Sequence, residues 1–306
     1  MQLILHPIFA SMPTPPKSKV SVLEVKEPAE LLKFLIASLP SRGRNALKSI
    51  LGYHQVQVNG KAVTKFNHPL KPGDKVSVNW EKSIEKAPFR GVKIRYEDEY
   101  LIVIEKQAGI LSIATDKEKQ LTAYSQLSAH VKAAHSSGYI FVVHRLDRDT
   151  SGLMIFAKSE QIQEKLQGTW AEKTIKRTYT AIVEGVVSKE SNTISSFLTE
   201  SKALKMHSGQ NPEIGKKAIT HYKLVKHNDQ FSMLHVTLDT GRKNQIRVHM
   251  QDIGHPVAGD KKYGAKTNPF GRLGLHAQTI SFVHPVSGEP MEFECQMPFK
   301  FKLLFE

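Results

Sequence analysis

The sequence predicts an α+β fold: a large domain built on a largely antiparallel mixed sheet, preceded by a small α/β domain. The first observation concerns the C-terminal two thirds, where six strand-like segments accompany only two clear helical segments. That leaves too few helices for one to follow every strand, as a parallel sheet would require. The second observation is an N-terminal stretch in which two helical segments precede an Asn-Gly hairpin signal.

Composition divides the chain into four segments. Residues 1–21 are rich in proline and are predicted to form a flexible tail. Residues 22–82 carry the helical segments and the hairpin of the small domain. Residues 83–90 include charged residues and are poorly patterned, which predicts a linker, and residues 91–306 form the large domain.

In the small domain, apolar residues recur every three or four positions from about residue 22 onwards, which predicts a helix ending before Pro40. RGRNALKSILGY predicts a second helix by the same spacing. VQVNGKAV predicts a hairpin, because Asn59 and Gly60 tolerate the positive φ angles of a tight turn. LKPGDKVSVNW supplies another turn and a strand that alternates apolar and polar residues.

In the large domain, the predicted strands are apolar or alternating runs bounded by polar residues. They are KIRYEDEYLIVIEK, GYIFVVH, GLMIFAKS, YTAIVEG, FSMLHVTLD and AQTISFVHP. The first predicted helix begins at Ser159, a candidate N-cap, and carries Ile162 and Leu166 on one face. The second begins near Asn244 and stops at Gly254, since glycine commonly ends a helix.

The charge of the chain favours a polyanionic partner. Its 306 residues include 43 Lys and Arg against 29 Asp and Glu, a net charge of +14, and each neutralised phosphate releases counterions. Nucleic acid is therefore preferred over an anionic membrane surface. The single cysteine excludes an intrachain disulfide and a cysteine-based zinc site, and no apolar run approaches the roughly 20 residues of a spanning helix. We expect a soluble cytoplasmic protein, monomeric because no long heptad run is present, with no membrane partner and no obligate protein partner.

The densest cluster of polar residues is HRLDRDTSGL, residues 144–153. It lies between two apolar segments that are predicted to be strands, and loops on rigid scaffolds often carry binding or catalytic residues. The structural alternative is a solvated turn whose carboxylates and arginines pair with each other, because surface ion pairs are common and weak. The residues alone leave both interpretations open.

HRLDRDTSGL resembles the signature of the RluA family of pseudouridine synthases, whose pattern is H-R-L-D-x-x-T-S-G. The resemblance implies that the family's nucleophilic aspartate falls on Asp147 and not on Asp149. Arg145 aligns with an arginine that helps to hold the flipped-out nucleotide and its phosphate. We group His144 with Arg145 as a binding residue and expect it to fix the catalytic loop by hydrogen bonding.

Three further segments resemble family motifs, in the family's order. VKIRYEDEYLIVIEKQAGIL resembles the opening motif, with Gln107 in place of the usual proline, a departure expected to alter loop stiffness more than chemistry. KRTYTAIVEG places the tyrosine that packs against the target base on Tyr179. LDTGRKNQIRVHM places the partner of the catalytic carboxylate on Arg247 and puts Asn244 where histidine is frequent. The resemblance spans about Val92–Pro298 and implies the catalytic-domain fold of pseudouridine synthases.

The N-terminal segment resembles an S-four RNA-binding domain. RGRNALKSILGYHQVQVNGKAVTKFNHPLKPGDKV has that domain's basic helix, VNGK hairpin and PGD turn. The resemblance implies phosphate contacts from Arg42, Arg44, Lys48 and Lys61. The alternative is that these side chains only solvate the surface.

The implied reaction breaks the glycosidic bond of uridine and rejoins C5 of the base to the sugar. It involves no redox change and no group donor, so no cofactor is predicted, and the chain has no P-loop or HExxH motif. The carboxylate of Asp147 could attack the sugar C1′, attack C6 of the base or assist elimination to a glycal. Arg247 would keep that carboxylate charged in a desolvated pocket, and Tyr179 would stack on the extruded base. Ile246 either lines the pocket or belongs to the core.

The resemblance implies RNA as the partner, with large-subunit ribosomal RNA ahead of transfer RNA. An RNA-binding or ribosome-assembly factor without catalysis is the alternative, although such a protein has no need of Asp147, Arg247 and Tyr179 together. A hydrolase that uses Asp147 and Asp149 would need a metal cluster. None of the 14 histidines shows ligand spacing, so no metal site is predicted, and His249 is expected to be a hydrogen-bonded core residue.

Overall fold

The computed structural model describes residues 20–52, 55–80, 89–115, 118, 121–135, 137–171 and 175–306. Its contacts divide the chain into two units, Met1–Ala87 and Pro88–Glu306. Most of the predicted tail 1–21 and most of the predicted linker 83–90 lie outside the described residues.

The smaller unit contains two helices and six short strands within the described part of the chain. The helices are α1 (Leu31–Ser38) and α2 (Arg44–Gly52), and the strands are β1 (Val20–Glu24), β2 (Ala29–Glu30), β3 (Val56–Val58), β4 (Lys61–Ala62), β5 (Pro69–Leu70) and β6 (Lys75–Asn79). Four strands form an antiparallel sheet in the order β1-β6-β3-β4, and β2 pairs with β5. The apolar faces of both helices pack with this sheet around Leu35, Leu47 and Val76, none of which is exposed to solvent.

The helical pattern predicted from about residue 22 is wrong at its start. The VSVLE segment is strand β1, which pairs antiparallel with β6, and the helix begins only at Leu31. Burial alternates from residue to residue along VSVLE, which is the period of a strand. Pro28 also disfavours helical backbone at the residue before it.

The predicted hairpin is confirmed. Asn59 and Gly60 have φ angles of 51° and 79°, as a tight two-residue turn requires. The Asn59 side chain also donates to Asp74 Oδ1 at 2.8 Å and accepts from the Lys75 backbone N–H at 2.9 Å. These bonds connect the hairpin to the PGD turn, so the two turns predicted from the sequence lie side by side in the smaller unit.

The larger unit is built on one sheet. Its helices are α3 (Ala123–Ala134), α4 (Glu160–Ala171), α5 (Gln245–Asp252) and α6 (Phe299–Leu303), and its strands are β7 (Val92–Glu97), β8 (Leu101–Lys106), β9 (Phe141–Val142), β10 (Ser151–Ala157), β11 (Lys176–Glu184), β12 (Ser191–Glu200), β13 (Met206–Gly209), β14 (Lys216–His227), β15 (Phe231–Leu238), β16 (Leu275–Val283) and β17 (Pro290–Glu294). The described strands form an eleven-stranded sheet in the order β13-β12-β14-β15-β11-β16-β10-β8-β7, with β17 beside β16 and β9 beside β10.

The sheet is antiparallel except where β10 pairs with β16 over two residues, so the predicted α+β class with a largely antiparallel mixed sheet is confirmed. Helices cover both faces. Ile102 and Met154 face α3 and α5, whereas the intervening Val103 and Leu153 face α4. This double burial explains why β8 and β10 are continuously apolar in the sequence.

Helix α3 was not among the predicted helices. Its N-cap is Thr122, whose side chain accepts from the Ser125 N–H while the Ser125 hydroxyl accepts from the Thr122 N–H. Ala123, Leu127 and Val131 are buried at four-residue spacing along it. None of the described helices is both long enough and apolar enough to cross a bilayer.

Candidate active site

A cavity of about 60 Å³ opens where three parts of the larger unit meet. The loop before β10 contributes Asp147, β11 contributes Tyr179, and the first turn of α5 contributes Arg247. Its lining consists of Arg145, Leu146, Asp147, Thr150, Arg177, Tyr179, Leu238, Gly241, Arg242, Asn244, Gln245, Ile246, Arg247 and Leu275. A wider cavity of about 620 Å³ shares Arg247 and contains Asp149 in its wall. The two neighbouring aspartates of the motif therefore face different cavities.

Backbone contacts fix the loop that carries Asp147. The Ser112 hydroxyl donates to the Leu146 carbonyl at 2.7 Å and accepts from the Leu146 N–H at 3.1 Å. The Gly109 N–H donates to the Arg148 carbonyl at 2.9 Å. Residues on both sides of Asp147 are thus tied to the segment that follows β8.

Lys106 also stabilises the loop that carries Asp147. Its side chain is fully buried, and its Nζ donates to the carbonyls of Gln107, Ile110 and Arg148 at 2.8–3.1 Å. Burial lowers the pKa of this amine to about 7, against the opposing influence of Asp149 and Asp147. The three carbonyl acceptors match the three N–H donors of the charged form.

Gln107, which stands where the family usually has proline, makes a backbone hydrogen bond that proline could not make. Its backbone N–H donates to the Gly91 carbonyl at 2.7 Å. Proline has no N–H, so it could not make this bond. The substitution replaces a rigid ring with a hydrogen bond to the start of the larger unit.

The carboxylate of Asp147 receives two side-chain donors. Arg247 Nη1 lies 3.3 Å from Oδ2, and Asn244 Nδ2 lies 2.6 Å from the same oxygen. The side chain remains 25% exposed, so it is accessible from the cavity. This arrangement presents a hydrogen-bonded carboxylate to any molecule in the cavity.

Arg247 is held by a buried carboxylate on its other side. Its Nε and Nη2 donate to Asp260 Oδ2 and Oδ1 at 2.6 and 2.8 Å, and the Asp260 side chain is only 1% exposed. Burial alone would lower the pKa of the guanidinium, but the hydrogen bonds and charges of Asp260 and Asp147 raise it overall. The bidentate pair fixes the plane of Arg247, so that Nη1 points at Asp147.

Tyr179 lies on β11 beside an irregularity in the sheet. The register of β11 against β16 shifts between Thr178 and Tyr179, and bulges next to a site often redirect a side chain. Tyr179 is 4% exposed and lines the cavity. Ile246 lines the same cavity and also belongs to the main apolar core.

The two residues before Leu146 have different placements. Arg145 is exposed and lines the cavity. His144 does not line it, and its Nε2 accepts from the Ile155 N–H at 3.1 Å. This bond connects the loop to β10, and the grouping of His144 with the binding residues stays a prediction. Burial and then the charge of Arg177 lower its pKa well below the usual value.

The basic residues singled out in the smaller unit are all exposed. Arg44 and Lys48 are four residues apart on α2, so they share one face of the helix. The Arg42 guanidinium lies over the Trp80 ring, 4.9 Å from its centroid. Lys61 is exposed on β4, directly after the hairpin turn. Each is accessible to a polyanion within its own unit.

Asp260 and Tyr263, which support Arg247 and Asn244, were not singled out from the sequence. Both lie in GHPVAGDKKYG, and a buried carboxylate 13 positions after an arginine gives no local signal of pairing. His249 is a core residue, as predicted: its ring nitrogens lie 2.9 and 2.8 Å from the hydroxyls of Ser196 and Thr220. Within the described ranges, no three His, Cys, Asp or Glu side chains are grouped to hold a metal ion.

Comparison with known proteins agrees with the geometry. A family model described as RNA pseudouridylate synthase matches residues 100–252. The chain is 34% identical to the Uncharacterized RNA pseudouridine synthase YlyB of Bacillus subtilis (strain 168), over 91% of this chain and 94% of that protein. It is 31% identical to the Ribosomal large subunit pseudouridine synthase D of Escherichia coli O6:H1, over 86% of each chain.

Solved structures share the fold. Human RNA Pseudouridylate Synthase Domain Containing 4 superposes with a TM-score of 0.57 at 22% identity, over 68% of this chain and 90% of that one. Human RNA Pseudouridylate Synthase Domain Containing 1 gives a TM-score of 0.55 at 25% identity, over 68% and 84%. With the family model spanning the Asp147 loop, β11 and the whole of α5, the chain belongs to the RNA pseudouridine synthase family, enzymes that act on RNA.

Proposed function

We propose that this enzyme converts uridine to pseudouridine in large-subunit ribosomal RNA, with Asp147 as nucleophile and no cofactor. The observation that carries the proposal is the placement of the Asp147 carboxylate in the cavity lined by Tyr179, with Arg247 Nη1 at 3.3 Å. A relative that is 31% identical bears the name of a large-subunit pseudouridine synthase, which supports ribosomal RNA ahead of transfer RNA. Such a substrate implies action in the cytoplasm.

The target base must leave its stack to reach the cavity, at a cost of a few kcal/mol. We assign Tyr179 and Ile246 to contact the base, since stacking on an aromatic ring recovers roughly 1–3 kcal/mol. We assign Arg247 to orient the Asp147 carboxylate through its Nη1 contact. Arg145, exposed at the cavity, is assigned to the phosphate of the extruded nucleotide. Attack at C1′, attack at C6 and assisted elimination all remain compatible with this arrangement.

The flanking RNA has a basic surface available beside the cavity. The neighbouring cavity of about 620 Å³ is lined by Lys261, Lys262 and Arg272. We assign these side chains to phosphates on either side of the target. Lys262 has its pKa lowered, first by burial and then by the charge of Arg247, so a phosphate would relieve repulsion between neighbouring cations.

We also propose that residues 22–82 form an S-four-like domain that contributes RNA affinity through Arg42, Arg44, Lys48 and Lys61. Their exposure supports this role. Replacing Arg44 and Lys48 by glutamine should reduce the slope of log affinity against log salt by about one to two, since each phosphate contact contributes about 0.7–0.9. Lys33→Gln is the matched control, because Lys33 is an exposed lysine of α1 that pairs with Glu30. Equal slopes for the double variant and the control would contradict the assignment.

The activity itself is tested by mapping pseudouridine in ribosomal and transfer RNA from cells that lack the gene. The map is repeated after restoring the intact gene or the Asp147→Asn variant. We expect one or more ribosomal positions to lose pseudouridine and to regain it only with the intact gene. Regain with Asp147→Asn would exclude Asp147 as nucleophile, and unchanged maps followed by inactivity of the purified protein on ribosomal RNA would favour an RNA-binding role without catalysis.

A further inference from the structure

Both side-chain donors to Asp147 fall on one oxygen. Asn244 Nδ2 and Arg247 Nη1 each contact Oδ2, at 2.6 and 3.3 Å. Among the residues that the structure describes, no side chain donates to Oδ1. The carboxylate is therefore held asymmetrically, with one oxygen occupied and the other available.

The backbone of Asn244 favours a short amide at this position. Its φ of 54° and ψ of 19° are left-handed, a conformation in which asparagine is enriched several-fold among non-glycine residues. Asn244 directly precedes α5, so its side chain and Arg247 both project from the start of the same helix. The helix start thus delivers two donors to one carboxylate oxygen.

Tyr263 fixes which end of the Asn244 amide faces Asp147. The Tyr263 hydroxyl accepts from the Met206 N–H at 3.1 Å and donates to Asn244 Oδ1 at 3.1 Å. With its oxygen engaged, the Asn244 amide directs its NH₂ group at Asp147, and a carboxylate can only accept. Burial first of all raises the pKa of Tyr263, which keeps the phenol protonated as a donor.

The Tyr263 ring also supports the second donor. It is fully buried, and the Arg247 guanidinium lies 5.0 Å from its centroid. The ammonium groups of Lys205 and Lys262 lie 5.4 and 5.9 Å from the same centroid. Cations within about 6 Å of an aromatic face are attracted to it. Tyr263 therefore contacts both residues that hold Asp147.

We propose that Asn244, oriented by Tyr263, is a positioning residue that holds Oδ2 of Asp147 and leaves Oδ1 as the oxygen that meets the nucleotide. The inference rests on the proposed role of Asp147 as nucleophile. It assigns a function to the position where the resemblance led us to expect histidine: the amide supplies an N–H donor that does not titrate in the physiological range. Asn244 acts through Asp147 and is not itself a catalytic residue.

Four variants of the full-length protein test the proposal: Asn244→Ala, Asn244→Asp, Asn244→His and Tyr263→Phe. Single-turnover rates and dissociation constants are measured on ribosomal RNA purified from cells that lack the gene. Asn244→Asp keeps the shape and the acceptor for Tyr263 but replaces the donor with an oxygen that repels Asp147. Asn244→His restores an N–H donor and tolerates left-handed backbone.

We expect Asn244→Ala to slow the single-turnover rate by about 10- to 100-fold, the loss of one hydrogen bond to a charged group, with less than threefold change in the RNA dissociation constant. Asn244→Asp should be slower still, and Asn244→His should recover at least tenfold over the aspartate variant. Tyr263→Phe should slow the rate, but adding it to Asn244→Ala should cost little more, because both changes act through one chain of bonds.

Asn192→Asp is the matched control for the added charge. Asn192 lies on β12, and its Oδ1 accepts from the Thr193 N–H at 2.9 Å, a bond that aspartate can keep. We expect it to retain the wild-type rate. Asn244→Asp with that same rate, or multiplicative effects of Asn244→Ala and Tyr263→Phe, would overturn the proposal. Asp147→Asn in the same assay separates the two ideas, since activity there would refute the nucleophile itself.

Discussion

Replacing Asp260 by asparagine tests whether the direction of Arg247 depends on a buried ion pair. The Asp260 side chain is 1% exposed and that of Arg247 is 12% exposed, and two hydrogen bonds join them. The amide keeps one acceptor but loses the charge and turns a donor towards the guanidinium. Hydrogen bonds to charged groups contribute about 1.5–3 kcal/mol each, and breaking a buried pair costs about 3–5 kcal/mol. We expect a loss of about 3 kcal/mol of unfolding free energy.

Hydrogen exchange at the amides of β11 and β15 measures this loss, because those central strands exchange only when the larger unit opens. The same change should reduce the single-turnover rate at least tenfold, since Arg247 loses its fixed plane while Asp147 itself is unchanged. Binding of ribosomal RNA should weaken much less than the rate.

Glu200→Gln is the matched control, because it also converts a carboxylate to an amide. Glu200 pairs with Lys243, and both side chains are more than a third exposed. Exposed pairs contribute about 0–1 kcal/mol, so we expect little change in stability. If Asp260→Asn costs no more than Glu200→Gln and leaves the rate within twofold, the argument that Asp260 orients Arg247 is wrong.

Two further predictions concern the frame around the catalytic loop. Gly152→Ala should cost at least about 3 kcal/mol in urea unfolding, since φ is 119° and a Cβ would lie 2.1 Å from the Ala277 carbonyl oxygen. Gly254→Ala, with φ of 82° and open space, should cost only about 1–2 kcal/mol, and equal losses would contradict the steric argument. Burial lowers the pKa of Lys106 from 10.5 to about 7, so between these values only the unfolded chain keeps the proton. The stability of the wild type relative to Lys106→Met should therefore rise with pH, by about 1.4 kcal/mol per unit above pH 7, and a constant difference in urea unfolding at pH 6 and 9 would refute that pKa.

The strands that the sequence revealed are those with a buried, apolar face. The sequence identifies four of these strands because at least one face of each is apolar along its length: β8, β10, β11 and β16. β12 and β14 were missed, since SNTISSFLTE and KKAITHYKLVKH carry polar residues on the solvated face of the sheet and weaken the pattern. The helical prediction is wrong at the short edge strand β1 for a different reason: its pairing with β6 is a tertiary contact that local periodicity does not encode.

The site residues also divide into those that a local sequence motif identifies and those that it does not. Arg145, Asp147, Tyr179, Ile246 and Arg247 could be named before any coordinates, because each falls in a contiguous motif. The motif HRLDRDTSGL also singled out Asp147 over Asp149, and the two carboxyl groups do face different cavities.

By itself the sequence determined the family, the likeness of the loop around Asp147 to a catalytic motif, and the positive charge that suits RNA. Only the tertiary structure decided which groups hold the carboxylate. Asn244 meets Asp147 across 97 positions of sequence, Asp260 pairs with Arg247 across 13, and Tyr263 contacts Asn244 across 19. The physical reason is range: periodicity and turn chemistry act between neighbours in the chain, whereas the direction of a buried hydrogen bond is set by the packing of α5 against the sheet.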